Sequence, residues 1–287
     1  MTQTTATAVG FGAVLLWALL ALFTVGSAPT PPLLLNAICF SIGGALGLVW
    51  TVASGGVAQL AQVSPRVYLF GTVGLFGYHA LYFSALRLAP AAEAGLIAYL
   101  WPLLIVLFSG LLPGEQLRRG HLVGAVLGFA GAALIISGGS TGFQAQYAPG
   151  YGLALLCALT WSGYSVLSRR LGDAPTATVA VFCVATAVLS AGLHLLLEET
   201  VWPQGMVSWA ATIGLGLGPV GLAFYVWDIG VKQGDIQMLG TSSYAAPLLS
   251  TLALVVAGIA APSWGLAIAA FLITGGALIA ARASLKT

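Results

Sequence analysis

The side chains able to do chemistry in this sequence are aromatic and uncharged, and they lie at the centres of apolar stretches. Trp17, Trp101 and Trp161 each sit deep inside such a stretch, about 15 Å from either end at helical rise. An indole N–H at that depth needs an acceptor that hydrocarbon does not supply, so a cavity with polar groups suits it better than lipid. Tyr78, His79 and Tyr82 share one helical face by their spacing. Tyr99 lies just before Trp101, and Trp161, Tyr164 and Ser165 make a comparable face. Tyr244, preceded by Ser242 and Ser243, is the later counterpart of Tyr99. Trp17, Tyr78, His79, Tyr82, Tyr99, Trp101, Trp161, Tyr164 and Tyr244 thus describe an apolar, aromatic pocket with a few hydrogen-bonding groups, the usual character of a small-molecule site. Its chemistry is binding: aromatic faces hold the body of a solute while hydroxyl, imidazole and indole groups orient its polar ends.

Charge is missing from the same depth. An ionised residue at a bilayer centre costs about 3 kcal/mol by insertion scales, so one is kept mainly for coupling or for a charged solute. Asp228 comes nearest, but it precedes Lys232 by one helical turn and reads as a local pair. Glu93 lies across a short turn from Arg87 and reads the same way. His79 is the one titratable group well inside, as a hydrogen-bonded structural residue, a proton carrier or a solute contact. A neutral pocket favours a neutral or zwitterionic solute and argues against a lipophilic-cation/proton exchanger, which needs a buried carboxylate. Enzymatic readings are weaker. Gly138 to Gly142 fits GxSxG formally but follows no strand, and His79 with Ser162 or Ser165 lacks an oxyanion site. With no metal-ligand cluster or phosphate loop, no catalytic residue, metal or cofactor is expected. Cys39, Cys157 and Cys183 lack CxxC spacing and read as small buried residues.

The elements that must position these residues follow from composition. With 59% apolar residues, 6% charged residues and a mean hydropathy of +1.02, the chain needs lipid as its solvent. Apolar runs of about 20 residues without period-two alternation favour helices over a barrel. The expected spans are 6–26, 31–53, 66–88, 91–112, 120–139, 150–169, 175–197, 205–232, 236–258 and 262–281, with no room between them for a soluble domain. The first has no basic segment before it and no cleavage site after it, so it is expected to be retained. With the N-terminus inside, Arg66, Arg118, Arg119, Arg169, Arg170, Lys232, Arg282 and Lys286 fall on the cytoplasmic side, leaving Arg87 alone outside with Glu198 and Glu199. That bias predicts cytoplasmic termini. The net charge of +2 is loop bias and gives no reason to invoke nucleic acid.

The second half repeats the first. One fixed shift carries Arg87 onto Lys232, Gly95 onto Gly240, Tyr99 onto Tyr244, Pro102 onto Pro247, Gly120 onto Gly265 and Gly131 onto Gly276, and Gly77 onto Gly221 within one position. A slightly smaller shift aligns GFGAVLLWAL from Gly10 with GYGLALLCAL from Gly150. An odd number of crossings per copy forces the second copy to enter from the opposite face. The expected fold is therefore an all-α integral membrane protein of ten transmembrane helices, two inverted-topology five-helix repeats at 1–142 and 143–287. Inverted repeats are a common design of secondary transporters, although channels also contain them. Pro102 and Pro247, at matched depth, each remove a helix hydrogen bond and are the expected hinges. Gly71, Gly74 and Gly77, with Gly214, Gly216, Gly218, Pro219 and Gly221, supply thin faces for contact or bending. Trp50, Trp202, Trp209, Trp227 and Trp264 lie near expected span ends and read as interfacial belts.

Leu111 to Gly138, LLPGEQLRRGHLVGAVLGFAGAALIISG, resembles the signature of the EamA type in the drug/metabolite transporter superfamily, in which a glutamate at the end of the fourth helix leads into a glycine-marked fifth. The whole ten-helix layout matches. Ala260 stands where the second half would carry the counterpart of Glu115, and Glu115, beside Arg118 and Arg119, reads as a cap or salt bridge. Within the superfamily, GYHALYFSAL from Gly77 and AYLWPLL from Ala98 are most similar to the YddG-type aromatic amino acid exporters. The resemblance implies export of aromatic and other amino acids across the bacterial inner membrane. The residues alone imply an aromatic, uncharged cavity and leave open another neutral metabolite or drug, or a facilitative channel. The expected partners are the bilayer and a small amino-acid-like solute, and because one chain supplies both halves, a monomer suffices.

Overall fold

The computed structural model describes residues 1–287 apart from 139–141, 172–173, 259–260 and 285–287. The centre of the GGSTG run, Ala260 and Lys286 therefore lie outside the described residues. Regular structure among the described residues is helical throughout. Among the described residues nine helices are long and apolar enough to cross a membrane: α1 (Gln3–Gly26), α2 (Pro32–Ala53), α3 (Pro65–Leu88), α5 (Arg119–Ser137), α6 (Ala145–Ser168), α7 (Thr178–Leu197), α8 (Gly205–Gln233), α9 (Ile236–Val256) and α10 (Trp264–Ser284). Between α3 and α5 lies a shorter apolar helix, α4 (Glu93–Ser109).

Local chemistry sets the ends. Proline stands in the first turn of α2 and of α3, where its missing N–H costs nothing. Asp235 opens α9 by accepting from Met238 N at 2.9 Å. Gly138 closes α5 with φ 60°, in the left-handed region that glycine reaches freely. The start of α2 is capped from a distance: both carboxylate oxygens of Glu198 accept from Leu33 N and one of them also from Leu34 N.

Proline breaks two membrane helices at matched places. The turn in α4 falls at Tyr99–Leu100 and that in α9 at Ser243–Tyr244, each just before its proline. The proline ring collides with the carbonyl four residues earlier, so the break precedes Pro102 and Pro247. A π-helical turn at Gly218–Leu222 interrupts α8. Such a turn accommodates one extra residue, in keeping with Gly77 and Gly221 falling one position out of step with the later matched landmarks.

The helices pack as antiparallel pairs. Along α5 the contacts of Gly120, Gly124 and Gly131 move back along α10 through Ala283, Gly276 and Ala269. From Asn36 to Gly47 in α2, partners on α7 retreat from Ser190 to Ala180. Helices α1 and α8 meet at Gly10–Gly230 and Trp17–Pro219, and Thr7 accepts from Asp235 N just past the end of α8. Helices α3 and α6 meet at Gly74–Tyr164, Gly77–Thr160 and Ala89–Gly150.

One end of the bundle is laced by cations. Arg118 donates to Ala283 O at 2.8 Å, Arg169 to Gly234 O at 2.8 Å, Arg170 to Leu111 O at 3.3 Å and Lys232 to Ala174 O at 2.9 Å. Two expected charge partnerships are corrected here. Arg87 pairs with Glu198 at 3.2 Å and not with Glu93, whose carboxylate accepts from Gly142 N. Glu115 pairs with Arg169 at 2.7 Å and not with its neighbours Arg118 and Arg119. In both cases helix packing brings a distant charge closer than the neighbour in sequence. The Asp228–Lys232 pair forms as expected, at 2.9 Å.

The α1/α8 crossing has no room for a side chain. A Cβ on Gly10 would stand 2.7 Å from Gly230 Cα, a backbone atom that cannot rotate away. Gly10→Leu is expected to force the helices apart and to cost at least about 1–3 kcal/mol, read as a clear drop in melting temperature of the detergent-solubilised protein. An unchanged melt would mean that the crossing is not a stability determinant.

Candidate functional site

Four indoles meet at the centre of the bundle, brought by α1, α4, α6 and α8. Trp17 lies 5.9 Å from Trp101, 6.1 Å from Trp161 and 5.1 Å from Trp227, centroid to centroid. Trp101 lies 6.3 Å from Trp161 and 5.8 Å from Trp227, and Trp161 lies 6.3 Å from Trp227. Every pair is thus in ring contact, mostly edge to face, the arrangement the aromatic quadrupole favours. Trp227, read from sequence as an interfacial residue, is buried in this tetrad, which corrects that expectation. The tryptophans left for the periphery, Trp50, Trp202, Trp209 and Trp264, are exposed on the bundle surface.

Helix α3 adds a second row. Tyr78 packs on Trp161 at 5.4 Å and lies parallel to Tyr82 at 6.2 Å. His79 sits edge-on to Phe40 of α2 at 5.0 Å and to Phe224 of α8 at 6.1 Å. Tyr99, at the α4 break, bridges Trp101 at 6.1 Å and Tyr244 at 6.4 Å. Tyr78, His79 and Tyr99 are surrounded by protein, yet these residues, with Trp17 and Tyr82, keep accessible surface.

Four of the nine expected residues, Trp101, Trp161, Tyr164 and Tyr244, are buried. Tyr244 is fully buried with Ala132, Leu248 and Ile273, and its hydroxyl accepts from Leu103 N at 3.0 Å. Tyr164 lies against Trp161 at 5.3 Å and Phe70 at 5.6 Å, with Gly74 beneath its ring. Sequence reasoning passed over Trp227, Phe224 and Phe40. A signal for the first two was present: the shift that carries Arg87 onto Lys232 also carries Tyr82 onto Trp227 and His79 onto Phe224.

The polar groups of the site are committed in part. Trp17 Nε1 donates to Pro219 O at 3.1 Å, a carbonyl in the π turn. Trp227 Nε1 donates to Ser165 Oγ at 3.1 Å. His79 Nδ1 lies 2.7 Å from Leu75 O. A carbonyl only accepts, so Nδ1 carries the proton, and in the neutral ring Nε2 keeps a free acceptor lone pair. Among the described residues no three His, Cys, Asp or Glu side chains group as metal ligands, and the three cysteines are buried and free. The arrangement can enclose an apolar or aromatic body and offer it a few neutral hydrogen-bonding groups.

The EamA-like transporter family profile matches the chain twice, over residues 4–137 and 148–282. The chain belongs to this family. It is a multi-pass membrane transporter and not an enzyme. A protein of Ancylobacter novellus named aromatic amino acid exporter YddG is 56% identical over 283 residues, 98% of each chain. The Escherichia coli protein of the same name is 27% identical over 97% of each chain. A solved crystal structure superimposes with a TM-score of 0.95 at 54% identity, covering 99% of both chains.

In this transporter the two tyrosines at the helix breaks differ in duty. Tyr244→Phe would leave Leu103 N–H without its acceptor in an apolar setting, at a cost of about 1–3 kcal/mol. Tyr99→Phe removes no backbone partner. Thermal unfolding is expected to rank Tyr244→Phe clearly below Tyr99→Phe, and equal melts would show that the bond to Leu103 carries no weight.

Proposed function

We propose that this transporter exports amino acids, aromatic and other neutral or zwitterionic ones, from the cytoplasm across the bacterial inner membrane. It works by alternating access between two inverted five-helix repeats, residues 1–142 and 143–287. The observation that carries the reading is the indole tetrad with its accessible phenols and imidazole. Trp17, Tyr78, His79, Tyr82, Tyr99, Trp101 and Trp161 contact the solute. Tyr164 and Tyr244 hold the wall from behind. Aromatic faces stack on an aromatic side chain and also attract an ammonium group, while His79 Nε2 can accept from that ammonium. The names of the bacterial relatives point to the same solute class.

Packing supports the inverted reading. Helices α5 and α10, and likewise α2 and α7, occupy equivalent places in the two halves, and each pair runs antiparallel. Gly131 rests on Ala269, and its sequence match Gly276 rests on Gly124, the counterpart of Ala269 under the same shift. Exchange of halves turns the α1/α8 pair into α6/α3, which is also observed. With α4 as a crossing, ten helices result, and the cation-laced end is cytoplasmic by charge bias, with both termini there. That end is stitched shut, while Tyr82 and Phe83, nearer the other end, find ring partners among the described residues only on α3 itself. The structure is read as the form open to the outside. Pro102 and Pro247 are the bending points, since each already lacks a backbone bond.

Counterflow of a labelled aromatic amino acid in proteoliposomes tests the reading. Saturable exchange accelerated by solute on the far side is expected; flux that never saturates would favour a channel, and competition only by unrelated neutral metabolites would move the solute class. Trp101→Ala and Tyr82→Ala are each expected to reduce exchange about tenfold, a loss of about 1.4 kcal/mol. Unchanged exchange by variants with native melts would dissolve the site assignment.

A further inference from the structure

The pairs α1/α8 and α3/α6 flank the aromatic site, and the side chain that ties them most directly is Arg169. Its guanidinium leaves the end of α6, donates to Gly234 O at 2.8 Å and Val231 O at 3.4 Å at the end of α8, and reaches Glu115 at 2.7 Å between α4 and α5. One planar group thus joins three separate elements, which a fork of five donors can do and a point charge cannot. The carbonyls it takes are orphans of the last turn of α8, so the contact also satisfies backbone that the helix end leaves open. At the opposite end the tie is centred on a carboxylate: Arg87 of α3 reaches Glu198 at the end of α7, which also accepts from Leu33 N and Leu34 N of α2. The counterpart of α6 is α1, and the sequence carries no lysine or arginine before Arg66.

We infer that Arg169 is the latch of the cytoplasmic side: a positioning residue whose release from the α8 carbonyls must precede solute admission. This rests on the alternating-access reading above. Glu115 is the partner that does not belong to α8. Burial pushes its carboxyl above the usual carboxylate range, outweighing the opposing pull of Arg169, with Asp235 adding to the rise. The two α8 carbonyls, and not Glu115, are the contacts that join α6 directly to α8, because Glu115 lies between α4 and α5.

The test uses Ser168, buried in α6 beside the latch and bonded to Tyr164 O. Ser168→Cys is placed in a chain whose Cys39, Cys157 and Cys183 are replaced by alanine, and its alkylation by a polar maleimide is timed in detergent. Arg169→Gln is expected to speed labelling at least about fivefold, Arg169→Lys by an intermediate factor, and Glu115→Gln by less than about twofold. Unchanged labelling in well-folded Arg169→Gln would overturn the latch, and acceleration by Glu115→Gln equal to that by Arg169→Gln would overturn the role of the carbonyls. Should Arg169→Gln fail to fold, Arg169→Lys decides: acceleration sustains the latch and none removes it. Failure of counterflow by the unmutated protein would instead strike the carrier reading, because labelling requires no transport.

Discussion

Inside a bilayer no water waits to accept a freed N–H or to donate to a freed carbonyl, and the centre of this molecule follows from that constraint. A site at mid-depth needs helices that bend or part, and each departure strands backbone groups. The chain breaks α4 and α9 at proline and distorts α8 into a π turn. It then re-satisfies what it exposes with aromatic polar tips: the Tyr244 hydroxyl takes Leu103 N–H, and the Trp17 indole fills Pro219 O. The same residue types that describe a binding cavity are therefore also the repair of its backbone. An aromatic ring with one polar end can do both, since its face remains available after its tip is committed.

Rigidity comes from the opposite device. Where helices must not move relative to one another, glycine lets backbones touch. Gly10 on Gly230 and Gly124 on Gly276 leave no space for a Cβ, and in lipid, where burying apolar surface against protein gains little over lipid itself, such close van der Waals contact is a principal source of helix affinity. The antiparallel pairs so formed are stiff units. Between α6 and α8 the contacts are made by side chains, Trp161 on Trp227 and Phe224, Trp227 on Ser165 and Arg169 on two carbonyls, and not by backbone against backbone. On the proposed reading, motion is confined to this softer seam.

Legibility in the sequence divides along the same line. Helical class, span positions and the depth of Trp17, Trp101 and Trp161 follow from hydropathy, because lipid makes apolar length a direct readout of structure. Trp227 was misjudged because distance from the end of an apolar run was the only guide: α8 runs on to Gln233 and carries the π turn, so a residue near the end of the run lies in the core. The repeat held the missing information, since Trp227 matches Tyr82. Charge partners were missed for a different reason. Arg87 and Glu115 find Glu198 and Arg169 from distant segments, and sequence proximity is a poor guide wherever helix ends from both halves converge.

The uncharged character of the site bears on how strongly it can hold a solute. A zwitterion moving to mid-membrane gives up the hydration of two charges, and on the proposed reading it meets neutral acceptors and donors together with π faces. A hydrogen bond involving a charged partner returns about 1.5–3 kcal/mol net and a cation–π contact about 0.5–2 kcal/mol, so the gain stays close to what dehydration removes. A buried carboxylate or guanidinium would deepen the well and slow release. On the proposed reading shallow binding suits export, because the cytoplasmic concentration loads the site and the dilute outer face empties it. Asp228, buried one residue after Trp227, is held by Lys232 at 2.9 Å and by Thr176 at 2.8 Å, while Arg169 and Glu198 tie elements together at the bundle ends.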